Sequence, residues 1–276
     1  MSHASQEHPN KMPLSRILIL VLACGIFLFS GYQILDYFTE NRSGEQLQQE
    51  LIDQAVVVAT EPAATVPEES VPPTTEPVER APISVDFAVL QAQNPDIVGW
   101  IYSEGTVINY PILQGVANQQ YLRRLYDGTK STLGSIFLDF RNLADFSDLN
   151  SLVYGHNIRS GQMFASLSSY REQEYYEEHP VMWLLTPDAD YRIDLIAGMV
   201  VPSDSEVYEI YSYPEELQAG LEYVLSHSTF DAGEVDAAAV ERIVTLSTCS
   251  YDYNDARYVV IGSLQEVARP EPAADA

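Results

Sequence analysis

Residues 242–264 read RIVTLSTCSYDYNDARYVVIGSL, in which two apolar segments flank a short polar turn. The segments Arg242–Thr248 and Arg257–Leu264 are rich in Val, Ile and Leu, which is typical of β-strands. The intervening SYDYNDA is polar and turn-prone. A tight connection therefore brings Cys249, at the end of the first strand, and Arg257, at the start of the second, to one rim of a sheet or barrel.

The preceding part of the chain continues this pattern. Six more strand-like runs are separated by turn residues in many places: Gly99–Tyr102, Val107–Leu113, Ser135–Leu138, Ser151–Tyr154, Val181–Leu185 and Tyr191–Val201. Helical periodicity is restricted to Ser84–Gln93, Gln162–Glu178 and Pro214–His227. Many short strands with few helices predict a mostly β domain over residues 83–268, a closed barrel with helical insertions.

A histidine completes a candidate reactive site. His156 lies in LVYGHN, where another apolar run stops at a glycine. Three strand ends therefore offer a thiol, an imidazole and a guanidinium, and a thiolate beside a cationic group is a competent nucleophile. Arg257 either stabilises that thiolate or steadies the oxyanion of a tetrahedral intermediate. His179 and His227 fit this chemistry less well, since they lie in an acidic turn and at a helix end.

The charge balance excludes one class of partner. The 276 residues carry 40 Asp and Glu against 14 Lys and Arg, a net charge of −26. No basic stripe can be assembled from so few cations, so nucleic acid is not a partner. No acid pair has the spacing of metal ligands, and we expect neither a metal site nor a cofactor.

The N-terminal region contains a membrane-like segment. Residues 17–35 form a 19-residue stretch without a charge, and as a helix it spans roughly 28 Å, enough to cross a hydrocarbon core. Lys11 and Arg16 precede it and acidic residues follow, which predicts a cytoplasmic N-terminus (residues 1–16) and an extracellular remainder. A cleaved signal peptide and a lipoprotein site at Cys24 are alternatives that fit the flanking residues less well. With Cys24 in the membrane, Cys249 has no partner in the exported part.

The segment between this helix and the barrel predicts a spacer. Residues 36–82 are assigned to an extracellular linker, in which Ser43–Ala59 is weakly helical at best. Thr60–Pro82 contains six prolines and no aromatic residue, which is typical of an extended stalk. Residues 269–276 are expected to be a disordered tail.

Several ordered motifs resemble those of the sortase family. TLSTC (Thr245–Cys249), with an arginine eight residues later, is similar to the sortase cysteine signature, and YGHN (Tyr154–Asn157) resembles its histidine motif. NPDIVGWI (Asn94–Ile101), INYPI (Ile108–Ile112) and the helix before the cysteine strand resemble class B sortases in particular.

This resemblance implies a sortase-type eight-stranded barrel and a membrane-anchored cysteine transpeptidase of a Gram-positive bacterium. It implies catalytic roles for His156, Cys249 and Arg257, with Thr248 and Ser247 lining the substrate groove. The implied partners are exported proteins that carry a sorting signal and an amine of a peptidoglycan precursor. A hydrolase of the same fold that uses water, and a surface binding module without activity, remain alternative hypotheses.

Overall fold

Eight strands close into a barrel in the computed structural model, which describes residues 14–58 and 80–269. The described strands are β1 (Val56–Val58), β2 (Ile83–Val85), β3 (Ile97–Tyr102), β4 (Asn109–Leu113), β5 (Ile136–Leu138), β6 (Asn150–Tyr154), β7 (Val181–Leu185), β8 (Asp190–Pro202), β9 (Ile243–Cys249) and β10 (Ala256–Val267). The barrel order is β10-β8-β7-β3-β4-β5-β6-β9, and β1 and β2 form a separate antiparallel pair. Each of the eight predicted runs overlaps a barrel strand, and the predicted barrel is confirmed.

Two strand pairs in the barrel are parallel, whereas the others are antiparallel. The parallel pairs are β4 with β5 and β6 with β9. In the second pair Tyr154 lies opposite Ser247, so the carboxyl ends of β6 and β9 reach the same rim. The long antiparallel pair of β9 and β10 places Arg257 directly opposite Cys249. Strand pairing therefore determines which side chains meet at this rim.

The barrel interior is filled by apolar side chains from most of its strands. Among them are Leu138, Ile193, Leu246 and Val260, each at most 1% exposed. A second cluster outside the first contains Trp100 and Trp183, and a third packs helix α5 (Pro214–Ser226) against β8 and β10. Burial of these side chains is the dominant stabilising contribution, at roughly 25 cal/mol per Å² of apolar surface.

The helices agree with the sequence at α5 and differ elsewhere. In α5 Pro214 occupies the first turn and Glu216 accepts hydrogen bonds from two preceding backbone amides, so the predicted start is confirmed. The predicted helix at 84–93 begins only at Phe87, because the Asp86 side chain caps α2 (Phe87–Gln93) and residues 83–85 form β2.

The single helix predicted at 162–178 is wrong. The chain forms a 3₁₀ helix at Ala165–Arg171 and then α4 (Gln173–Glu178), separated by Glu172 in an extended conformation. The first segment contains three serines, which have a lower helix propensity than Ala, Leu or Glu. The apolar residues of this segment nevertheless point inward, since Met163, Leu167 and Tyr170 are all buried.

The expectation that residues 43–59 are weakly helical is also wrong. Helix α1 (Leu14–Ala55) includes residues 43–55 of this stretch, and β1 follows directly. One face of these helical turns carries Leu47, Leu51 and Ala55, which are spaced four residues apart. Leu51 and Ala55 are buried in the second cluster, which contains Trp100 and Trp183 and is called the tryptophan cluster below. The chain divides into two compact units between Glu45 and Gln46, so residues 46–58 belong with the barrel rather than with a linker.

The predicted stalk and tail each include a residue that packs on the barrel domain instead. Ala81 is buried in the same cluster as Leu51, although it was assigned to the stalk. Arg269 was assigned to the tail, but its guanidinium donates to the Pro187 carbonyl at 2.8 Å and lies 3.3 Å from Asp190. Residues 1–13, 59–79 and 270–276, which include most of the predicted stalk and tail, lie outside the described residues.

We predict that Leu51→Ala lowers the free energy of unfolding by about 2–5 kcal/mol, because it leaves a cavity in a buried cluster. Urea titration followed by tryptophan fluorescence is the measurement, since both tryptophans of the chain lie in that cluster. Val57→Ala is the control, because Val57 is 65% exposed. Equal stability of the two variants would show that α1 does not support the barrel.

Candidate active site

The three predicted reactive residues meet at one rim of the barrel. His156 lies two residues beyond Tyr154 on β6, and Cys249 lies two residues beyond Ser247, the partner of Tyr154 on β9. Arg257 is the register partner of Cys249 on β10. All three line one open cavity of about 690 Å³, and each is partly buried. The barrel thus brings together side chains that lie up to 101 positions apart in the sequence.

Hydrogen bonds fasten the histidine segment to the cysteine strand. The Thr248 hydroxyl donates to the Gly155 carbonyl at 2.8 Å, and the Gly155 amide donates to the Ser247 carbonyl at 3.0 Å. Beyond the histidine, the Asn157 amide donates to the Cys249 carbonyl at 2.9 Å. The backbone on both sides of His156 is thus fixed relative to the thiol. The sequence contained Asn157 within the YGHN motif but gave no signal for this contact.

The wall of the cavity beside Arg257 is formed by Tyr208, which the sequence did not indicate. Its hydroxyl lies 2.8 Å from the Ser247 hydroxyl, so both predicted groove residues, Ser247 and Thr248, already have hydrogen-bond partners. Burial raises the pKa of Tyr208 to about 12, although the Ser247 hydrogen bond and the charge of Arg257 both lower it. Tyr208 is therefore a neutral phenol at physiological pH.

A buried carboxylate is among the residues that line the cavity. Asp139 has a side chain only 1% exposed and forms an ion pair with Arg141 at 2.9 Å. It also accepts from Asn118 and Tyr154, each at 3.0 Å. Burial alone would raise the pKa of Asp139, but hydrogen bonds from Arg141, Asn118 and Tyr154 outweigh it and lower the pKa. Tyr154 is thus a hydrogen-bond donor in this polar network.

The turn between Cys249 and Arg257 is held by a residue from the 3₁₀ helix. Arg171 forms an ion pair with Asp252 at 2.6 Å and donates to the Ser250 hydroxyl at 2.9 Å. Hydrogen bonds from Arg171 and Ser250 hold the pKa of Asp252 well below its usual range. The Arg171 guanidinium also stacks on the Tyr258 ring at 4.9 Å. Asp252 therefore acts as a turn anchor rather than as an acid or base.

This arrangement suits nucleophilic catalysis at a carbonyl carbon. A thiol supplies the nucleophile, an imidazole transfers protons, and a guanidinium stabilises developing negative charge. Within residues 14–58 and 80–269, no group of three or more His, Cys, Asp or Glu side chains could hold a metal ion.

Comparison with known proteins gives consistent matches. A family model described as the sortase domain matches residues 101–265. Sortase B of Listeria monocytogenes is 34% identical over 256 residues, which cover 91% of this chain and 96% of that protein. A Staphylococcus aureus sortase B–substrate complex superposes with a TM-score of 0.62 and 31% identity over 66% of this chain and 85% of that one. Sortase B from B. anthracis in complex with AAEK1 gives a TM-score of 0.66 and 28% identity over 83% of this chain and 99% of that one.

We predict that Asp139→Asn destabilises the protein by about 1–3 kcal/mol at pH 7, because several donors lose their charged acceptor. The folded-state pKa of Asp139 lies below its unfolded value of about 4, so its contribution is present above that pH and is lost as the pH falls through the folded value. The difference between variant and wild type should therefore shrink in acid. Thermal unfolding across pH measures this.

Asp204→Asn is the matched control, because Asp204 lines the same cavity but is exposed. Its stability should stay within about 0.5 kcal/mol of the wild type. A pH-independent loss for Asp139→Asn would contradict the role of the charge.

Proposed function

The chain belongs to the sortase family, with class B sortases as its relatives, and from this premise we propose that Cys249, His156 and Arg257 are its catalytic residues. The family assignment makes the protein a cysteine transpeptidase with a role at the cell wall. One observation carries the proposal: the parallel register of β6 and β9 and the pairing of Cys249 with Arg257 converge on one open cavity.

In the first half-reaction the Cys249 thiolate attacks a backbone carbonyl carbon in the sorting signal of an exported protein. A carbon–sulfur bond forms, and the Arg257 guanidinium stabilises the oxyanion with donors that stay charged. The His156 imidazolium then gives its proton to the leaving amine as the carbon–nitrogen bond breaks. The C-terminal fragment departs and a thioester remains on Cys249.

In the second half-reaction an amine of a peptidoglycan precursor attacks the thioester. His156 accepts a proton from the amine, the carbon–sulfur bond breaks, and the Cys249 thiolate is regenerated. The product carries an amide bond between the exported protein and the precursor. Each substrate enters after the previous product fragment has left, which is a ping-pong sequence.

The cavity supports the binding of an extended peptide beside Cys249. Its lining includes the apolar residues Leu122, Phe137 and Phe140 and the polar residues Ser203 and Tyr208. We propose that Ser247 and Thr248 shape this groove mainly through their existing partners. Ser247 orients the Tyr208 hydroxyl, and Thr248 orients the segment that carries His156.

Helix α1 supports anchoring in the cell membrane. Among the described residues it is the one helix long and apolar enough to cross a bilayer. Apolar side chains along its first part are exposed, for example Phe27 at 79% and Leu28 at 71%, as required of a helix that contacts lipid. We propose a single span over residues 17–35, with the N-terminus in the cytoplasm and the catalytic domain outside the cell.

Cys249→Ala should abolish peptide cleavage while leaving the barrel folded, since alanine removes the nucleophile from a partly exposed rim. The assay is mass spectrometry of the full chain mixed with a peptide library of candidate sorting signals. Cys24→Ala is the matched control and should retain activity, because Cys24 lies in the proposed membrane span. Cleavage by Cys249→Ala would refute the proposed nucleophile.

His156→Ala should lower kcat by about 10²–10⁴-fold through loss of acid–base catalysis. Arg257→Lys should also lower kcat, because lysine cannot reproduce the planar guanidinium fork. Arg192→Lys makes the same chemical change at a residue that does not line the cavity and should leave kcat unchanged. Near-normal kcat in either test variant would remove that residue from the mechanism.

Increasing amine at a fixed peptide concentration should divert the product from free acid to amide. Glycine oligomers and diamino-acid peptides are suitable amines, and product analysis by mass spectrometry is the measurement. A membrane tether would favour this transfer by raising the effective concentration of lipid-linked precursors. Free acid as the sole product with every wall-derived amine would favour the hydrolase.

A further inference from the structure

The imidazole of His156 is held by a backbone carbonyl rather than by a carboxylate. Its Nε2 atom lies 2.7 Å from the carbonyl oxygen of Leu122. A carbonyl oxygen accepts hydrogen bonds and donates none, so Nε2 must carry the hydrogen. In a neutral imidazole only one nitrogen is protonated, which leaves Nδ1 as the basic atom.

The Leu122 carbonyl is available for this contact because the chain ends a helix there. Helix α3 spans Gln119–Leu122, and its last carbonyls have no partner within the helix. The carbonyls on either side are also occupied: the Ser135 amide donates to Tyr121 at 3.0 Å, and the Ser131 amide donates to Arg123 at 3.2 Å. The carbonyl that contacts His156 is therefore fixed in direction by the segment 131–135.

Gly134 makes this close approach possible. It has a φ of +61°, in the left-handed region, and a Cβ atom there would lie 2.6 Å from the Leu122 oxygen and 3.0 Å from His156 Cδ2. The first of these is a backbone atom and cannot move without displacing the end of α3. A side chain at position 134 would thus push on both members of the hydrogen bond.

We propose that the Leu122 carbonyl and Gly134 are a positioning device that fixes the tautomer of His156. Nε2–H is then structural, and Nδ1 is the nitrogen that exchanges protons with the substrates. This rests on the proposed function of His156 as acid and base. During acylation Nδ1–H⁺ gives its proton to the leaving amine, and Nε2 keeps its hydrogen. During resolution Nδ1 takes the proton of the attacking amine, which restores the cation.

The tautomer can be measured without an activity assay. Long-range ¹H–¹⁵N spectra of the full chain with ¹⁵N-labelled histidine, in detergent, distinguish the two neutral forms by their cross-peak patterns. Comparison with His156→Asn assigns the His156 signals among the five histidines. We expect the Nε2–H tautomer for neutral His156, and observation of the Nδ1–H tautomer would overturn the proposal.

A pair of glycine variants tests the positioning role. Gly134→Ala should lower kcat by about 10²-fold, the scale of a misplaced catalytic group, with the KM for the peptide little changed. Gly128→Ala is the matched control: Gly128 also has a positive φ, +85°, but a Cβ there would meet nothing within 4 Å. It should show the same kind of backbone strain while kcat stays within about twofold of the wild type. Equal kcat losses in the two variants would overturn the positioning role.

The outcomes separate this proposal from the assignment of His156 itself. If His156→Ala retains full activity, the proposed function of His156 fails whatever its tautomer. If His156→Ala is inactive but the Nδ1–H form is observed, only the positioning proposal fails. If Gly134→Ala does not fold, the tautomer seen in the spectra of the wild type supports or overturns the proposal by itself.

Discussion

The parallel pairing of β6 with β9 is the constraint on which the site depends. Parallel neighbours cannot be joined by a tight turn, and here the intervening residues 155–242 contain β7, β8 and α5. Because both strands point the same way in a fixed register, His156 and Cys249 emerge at the same rim. The antiparallel return into β10 then adds Arg257 opposite the thiol. A one-residue slip in either register would turn these side chains to different faces.

Two of the three arginines discussed at this rim form ion pairs with carboxylates, whereas Arg257 contacts a backbone carbonyl. Asp139 and Arg141 neutralise each other in the cavity lining, and Arg171 and Asp252 do so in the turn. Such pairs hold backbone and ring groups in place, and breaking one leaves a charge without its partner. Arg257 differs, because its guanidinium donates to the neighbouring Ala256 carbonyl at 3.0 Å and faces the cavity. In the proposed mechanism its positive charge stabilises the negative charge that develops during reaction.

Helix α1 changes character along its length. Its first part exposes apolar side chains such as Phe27, whereas its last turns bury Leu51 and Ala55 in the tryptophan cluster. The first pattern suits a lipid environment and the second suits packing on a sheet. Among the described residues, the unit that contains the barrel begins with the helical turns Gln46–Ala55 and ends at Arg269. At both ends it is longer than the pattern of predicted strands indicates.

Local features of the sequence were enough to predict the eight barrel strands, the membrane-like segment and the three candidate catalytic residues, because apolar runs, turn residues and motifs such as TLSTC and YGHN can each be recognised within a few residues. They missed the last turns of α1, where a face of only three residues is too weak a signal. The contacts that position the site followed from the folded arrangement of the strands. The Asn157 contact with Cys249 joins residues 92 positions apart, and the His156 contact with Leu122 joins residues 34 apart. Such contacts depend on strand register and on backbone carbonyl directions, and carbonyls are the same in every residue type, so no pattern of side chains could have specified them.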